Sequence, residues 1–183
     1  MCVEVIGDPL FALLLALVLV VEDIIVAIVR ARRYDVGLRF KSTRGRGGVV
    51  ENIYINGVNM VNIPNEGLLF DLFYGGKGAG EESEEELAAR MNAEAPAVSE
   101  ETPAFRDIVI ENVKGANIKR AIYFNGLPEM KIQNVTLRNI TISATEGALF
   151  RQTDGLIIDN VDIKAEKGEA FSLAPTVENV KIN

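Results

Sequence analysis

The chain has 183 residues, a formal net charge of −7, and 48% apolar but only 7% aromatic residues, enough for one domain with an aliphatic core. It contains no histidine, no tryptophan and one cysteine, Cys2. That inventory excludes His-based triads, His or Cys metal sites and internal disulfides, and no cofactor or metal is expected.

Residues 1–36 are the first unit and are unusually apolar. "LFALLLALVLVV" from Leu10 to Val21 is unbroken; Glu22 and Asp23 interrupt it before "IIVAIV" resumes at Ile24. A spanning helix needs about 20 apolar residues. The window 10–29 reaches that length only by taking in both acids, each costing about 2.5–3.5 kcal/mol near a helix centre. A secretory signal needs a basic leading region, but Glu4 and Asp8 stand here, and "RARR" follows in place of a small-residue cleavage site. The segment is expected to form buried strands of the main domain. A membrane anchor through 10–29 is the alternative.

"GLRFKSTRGRGG" follows from Gly37. In a strand, Arg39 and Lys41 fall on one face and Leu38 and Phe40 on the other. "STRGRGG" is a basic glycine-rich turn; without a following GK[ST] it is not a phosphate loop. Two cations about 7 Å apart along a strand suit an anionic ligand with one carboxylate per cation. A solvated pair on an exposed sheet face is the competing explanation.

Residues 75–104 form an acidic insertion. Between Gly78 and Ala104 stand eight acids and one base, Arg90. That stretch carries the whole net charge, and the balanced remainder offers no basic field for nucleic acid. "SEEELAARMNAEA" predicts a short helix, with Ser83 and Glu86 as a capping box and Glu86 and Arg90 as an i,i+4 pair.

The rest of the chain repeats. "NVTLRNITI" at Asn134 is echoed by "DIIV" at Asp23, "NIYINGVNM" at Asn52, "DIVIENV" at Asp107, "GLIIDNVDI" at Gly155 and "NVKIN" at Asn179. A second short strand follows the first five units: "GLRF", "GLLF" at Gly67, "AIYF" at Ala121, "ALFR" at Ala148 and "AFSL" at Ala170. The unit period is 21 to 29 residues outside the step that contains the insertion. Short strands at this period with Asn at the corners predict an all-β solenoid of parallel strands, with Ile and Val in the lumen and inward Asn ladders at the turns. The L-x-x-L-x-L pattern of a leucine-rich repeat does not recur. Registering the second strands stacks Leu38, Leu68, Ile122, Leu149 and Phe171 inward. Phe40, Phe70 and Phe124 follow, with Arg151 as the misfit. Asp71, Tyr123 and Asn125 then join Arg39 and Lys41 on the outer face.

"GLRFKSTRGRGGVVENIYINGVNM", "IPNEGLLFDLFY", "TPAFRDIVIENV" and "AIYFNGLPEMKIQNVTLRNITIS" resemble the polygalacturonase family of glycoside hydrolases (family 28) over about 35–183. The resemblance implies a right-handed parallel β-helix, here incomplete, and a pectin-like uronic-acid polysaccharide as partner. The family's R-x-K motif matches Arg39–Phe40–Lys41, which implies that these cations hold galacturonate carboxylates. It also implies inverting hydrolysis by separated carboxylates, and a periplasmic or secreted location.

The match is partial. The family's acids precede R-x-K, in an N-x-D motif and an Asp-Asp pair, and a G-H-G motif also precedes it; none stands in those places here. Counting back from Gly37 sets Gly7, Asp8 and Pro9 on the G-H-G site. Asp8 alone cannot fill both inverting roles. No catalytic residue is therefore assigned. The expectation is the C-terminal portion of such a hydrolase, inactive by itself, with Arg39 and Lys41 binding substrate and Asp71, Tyr123 and Asn125 lining the groove. The alternatives are a truncated or engineered solenoid that self-associates through its apolar N-terminal edge, and a membrane-anchored carbohydrate-binding domain.

Overall fold

A computed structural model describes residues 2–5, 20–21, 24–32, 35–73, 85 and 94–183. The described chain is almost entirely strand. In order the strands are β1 (Cys2–Val5), β2 (Val20–Val21), β3 (Ile24–Arg32), β4 (Leu38–Lys41), β5 (Val49–Val50), β6 (Ile53–Asp71), β7 (Ala104–Asn125), β8 (Ile132–Arg151), β9 (Thr153–Leu173), β10 (Val177–Glu178) and β11 (Lys181–Ile182). Strand β6 pairs in parallel with β7, β7 with β8 and β8 with β9. Strands β3 and β4 both lie parallel to β6 on its other edge. The result is a parallel sheet curled into a solenoid-like coil.

The long strands bend because single residues at their corners adopt the left-handed conformation. Gly57, Asn112, Asn139 and Asn160 have φ of 79°, 57°, 51° and 52°, and Asn52, Asp107, Asn134, Gly155 and Asn179 form a second such column. Asn and Asp tolerate this region better than other side chains, and Gly does so freely. Each corner also resets the in–out alternation. Ile53 and Ile55 point inward, then Val58 and Met60 after the corner at Gly57, then Ile63 after Asn62; all are at most 1% exposed. A two-residue alternation interrupted by three-residue steps is thus the sequence signature of a bent strand.

The first strands stack as the repeat predicts: Ile24 opposite Ile53, Ile53 opposite Ile108, then Val135 and Leu156. The second strands bring Phe40, Phe70, Phe124 and Phe150 into one lumenal column. Phe40 and Phe70 stack at 4.2 Å and 13°, and Phe105 meets both edge-on from the opposite wall. Like residues stack because parallel rungs repeat every ~4.8 Å, so one side chain's neighbour is its own counterpart.

Three expectations are corrected. The corner Asn side chains are exposed, because a left-handed corner carries its side chain to the outside; they ladder there, with Asn139 Nδ2 donating to Asn112 Oδ1 (3.2 Å) and Asn160 Nδ2 to Asn139 Oδ1 (2.9 Å). The fourth second strand is shifted by one residue. Ala148, not Leu149, lies under Ile122, and Phe150 lies under Phe124, so Arg151 turns outward and is no misfit. The small residue that aligns with Gly37 and Gly67 is Gly147. A Cβ on Gly37 would meet the Gly67 carbonyl at 2.6 Å, and one on Gly147 the Ala170 carbonyl at 2.5 Å. Close backbone approach between rungs therefore selects the residue before each second strand.

The N-terminal region is strand where described. Strand β2 runs parallel to β5 and β3 to β6, as stacked rungs would. Strand β1 departs from the repeat: it pairs antiparallel with β4. Among the described residues no helix is long and apolar enough to cross a membrane, and residues 10–19 lie outside them. Ser83, Glu86 and Arg90 of the expected helix also lie outside; Glu85, which is described, is helical.

Candidate functional site

Strand β4 alternates buried and half-buried residues. Leu38 and Phe40 are fully enclosed in the lumen, and Arg39 and Lys41 stand on the outer face. Stacking β4, β6, β7 and β8 extends this face into two rows. One row runs Arg39, Leu69, Tyr123, Leu149; the other runs Lys41, Asp71, Asn125, Arg151. All five residues proposed from the sequence thus meet on one face, with Arg151 as an addition that the one-residue shift had hidden.

The first row is largely apolar and covered. Leu69 and Tyr123 are 7% and 4% exposed and pack with Val36 and the half-buried Leu149. Tyr123 is held by two guanidinium groups: Arg120 lies 5.4 Å from the ring centroid and Arg151 5.9 Å, and Arg151 Nη1 donates to the Tyr123 hydroxyl at 3.3 Å. Cation–π contact of this kind places positive charge on the ring without exposing it. Tyr123 and Asn125, expected to line an open groove, are instead buried supports of the face.

The second row is polar. Asn125 Nδ2 donates to Asp71 Oδ1 at 2.9 Å, and the backbone N–H of Phe73 donates to the same oxygen at 2.9 Å. Asp71 is therefore oriented as an acceptor between Lys41 and Asn125 in the row. Three rung spacings separate Lys41 from Arg151, about 14 Å. The row alternates cation, carboxylate, amide and cation. Neither Arg39 nor Lys41 is without an interaction in the structure.

Loops at the end of these strands frame the row. Arg44, in the glycine-rich turn, donates from Nη2 to Glu129 Oε2 at 2.8 Å and lies 4.9 Å from the Phe73 ring centroid. The Glu129 side chain is 4% exposed, and the Arg44 hydrogen bond holds its carboxyl below the usual carboxylate range. The N–H groups of Gly45 and Gly47 both donate to the Glu101 carbonyl. "STRGRGG" is thus clamped from two sides as a structural turn.

Glu66 was not singled out from the sequence, and its neighbours explain its interest. It lies at the β6 bulge, opposite Arg120 in β7. Burial pushes its carboxyl above the usual range, against the pull of Arg120, Lys119 and Arg39. The following Gly67 was the available signal, since it marks the tight entry to the second strand. Along the same row Arg120 pairs with Glu146, its Nε donating to Oε2 at 2.9 Å, and Glu146 lies opposite Lys167.

The two rows do not carry the pair of acids that inverting hydrolysis uses. Inverting glycosidases need two carboxyl groups about 6.5–9.5 Å apart, one as acid and one as base. Within β4, β6, β7 and β8 the two rows carry one carboxylate, Asp71, and it is engaged as a hydrogen-bond acceptor. The chain's literal N-x-D tripeptide, Asn160–Asp162, is spent on the fold: Asn160 is a ladder corner and Asp162 lies on the solvent side of β9. Among the described residues no group of three or more His, Cys, Asp or Glu gathers as metal ligands would. Compared with family models, curated proteins and solved structures, the chain matches none.

Proposed function

We propose that the chain is a polygalacturonase-like right-handed β-helix portion that binds uronic-acid polysaccharide such as pectin and does not hydrolyse it alone. One observation carries this reading: Arg39 and Lys41 of the R-x-K tripeptide stand together on the outer face of β4, beside the polar row of Asp71, Asn125 and Arg151. Lys41 and Arg39 take successive carboxylates, Arg39 with bidentate geometry. Asp71 offers an acceptor to sugar hydroxyls, the buried Asn125 orients it, and Tyr123 fixes Arg151. A periplasmic or secreted setting fits such a partner.

The test is calorimetry with trigalacturonate against a neutral trisaccharide. Binding is expected for the acidic sugar only, and Lys41→Ala is expected to weaken it about tenfold, the effect of roughly one lost charge-assisted contact. Equal affinity for both sugars would overturn the binding reading. Release of reducing ends from polygalacturonate, abolished by Lys41→Ala, would overturn the claim that the chain does not hydrolyse.

A second reading, a self-associating solenoid, draws on a different observation, and at the opposite end from the apolar N-terminal edge expected from the sequence, whose residues 10–19 lie outside the described ones. Beyond Ile158 the outer edge of β9 has no strand partner among the described residues, and Leu173 and Ile182 are 42% and 58% exposed. Unpaired edges of this kind invite another strand. Light scattering at two concentrations separates the readings, since a monomer at both removes the second.

A further inference from the structure

One corner of the coil loses its asparagine partway along the stack. In β6 and β7 it is made by Asn62 and Asn117, with φ of 59° and 55°, and Asn117 Nδ2 donates to Asn62 Oδ1 at 2.7 Å. Strand β8 is one residue shorter there. Ala116 and Asn117 lie between Gly115 and Ile118 in β7, but only Ser143 lies between their partners Ile142 and Ala144. No residue between Asn139 and Gln152 has a positive φ. Strand β9 keeps the shorter path, with Ser143 opposite Lys164 and Ala144 opposite Ala165. The asparagine ladder of this corner therefore ends at Asn117. Its Nδ2 is turned towards β6, so its Oδ1 faces the side on which other ladders place the next amide, as Asn160 donates to Asn139.

A cavity of about 210 Å³ opens at this point. Asn117, Ser143, Thr145, Lys164 and Glu166 line it, above the buried Ile118 and Ala144. Lys164 and Glu166 are two residues apart on β9, so they stand on one face about 7 Å apart. Both are exposed, and Lys164 has no ion-pair partner among the described residues. Thr145 Oγ1 donates to Glu166 Oε2 at 3.3 Å, which draws that carboxylate towards β8. We propose that this cavity binds a small zwitterionic α-amino acid. Asn117 Oδ1 and the Glu166 carboxylate accept from its ammonium group, and Lys164 and the Ser143 hydroxyl donate to its carboxylate. Acceptors and donors gathered in one cavity match a dipolar ligand better than a plain anion or cation. No aromatic ring among the lining residues offers a face to a sugar. The cavity shares no residue with the two rows on β4, β6, β7 and β8, and the proposal does not rest on the uronate reading.

The test is a titration of the isotopically labelled full chain with glycine, read from the amide resonances of 117–118, 143–145 and 164–166. Saturable shifts centred on those residues are expected, with a Kd in the low millimolar range for so small a ligand. Acetate and methylamine carry one charge each and are expected to bind at least about fivefold more weakly, since each forfeits one charged contact. Lys164→Met is expected to weaken glycine binding about two- to fivefold, the range of an exposed ion pair. Asn117→Gly is a second variant. It keeps the left-handed corner and removes Oδ1, so it is expected to weaken glycine and leave acetate unchanged.

The absence of any saturable shift at these residues through about 100 mM glycine overturns the proposal. Equal binding of acetate and glycine overturns it too, by making the cavity a plain anion site. Glycine binding that survives both variants unchanged places the ligand elsewhere. Shifts here with trigalacturonate and none with glycine assign the cavity to the polysaccharide instead. If glycine binds as described and trigalacturonate binds nowhere, the amino-acid site stands and the uronate reading alone fails.

Discussion

Glu66 shows how the coil sets the properties of single residues. It is 8% exposed, and desolvation outweighs three nearby cations in raising its carboxyl above the ordinary range. The folded state therefore holds the proton more tightly than the unfolded chain, whose Glu titrates near ~4.3. The stabilising effect of protonation is complete below that pH and is lost as pH rises through the folded value. Glu66→Gln mimics the protonated form, so it is expected to be more stable than the unaltered chain at pH 7, with the gap closing below about pH 4. Urea midpoints at the two pH values check this; a gap independent of pH would place the effect in packing rather than charge. Arg151 makes the complementary point. Read from sequence it breaks an apolar column, yet in the structure it is an outward cation on Tyr123, because the residue that fills the lumen is Phe150.

The element that repeats is the bent strand, and its corner is the part that a substitution can test. Asn139 has φ of 51°; its amide donates to Asn112 Oδ1 and its carbonyl accepts from Asn160. Two effects are combined there, conformation and ladder. A side chain other than Asn, Asp or Gly in the left-handed region costs about 1–2 kcal/mol, and an exposed hydrogen bond contributes about 0.5–1.5 kcal/mol at most. Asn139→Ala is therefore expected to lower stability by about 1–3 kcal/mol, and Asn139→Gly by clearly less, since it keeps the corner and loses only the ladder. Denaturant midpoints at an unchanged slope measure both. Equal losses would assign the stability to the ladder instead. The same element explains why each second strand opens on a small residue: the carbonyl of the next rung lies where a Cβ on Gly37 or Gly67 would stand.

At the scale of the molecule, stability in a coil is a sum of neighbouring contacts. Strand β8 is paired along both edges, by β7 and by β9, whereas β9 beyond Ile158 is paired along one among the described residues. Amide hydrogen exchange is expected to be slowest in 135–150 and markedly faster in 164–173, where most residues are exposed. Uniform protection across both would mean that the coil opens as one unit. The sequence by itself determined the stacked first strands, the outward placement of Arg39 and Lys41 and the use of Asn at corners. These are local properties: alternation sets the face, and left-handed corners demand particular residues. Only the tertiary structure decided the outward turn of the Asn ladders, the register of 147–151, the cover over Leu69 and Tyr123, the burial of Glu66 and the reversal of β1. Each of those depends on how one rung's backbone and side chains fit the next, and that fit joins residues far apart in the chain.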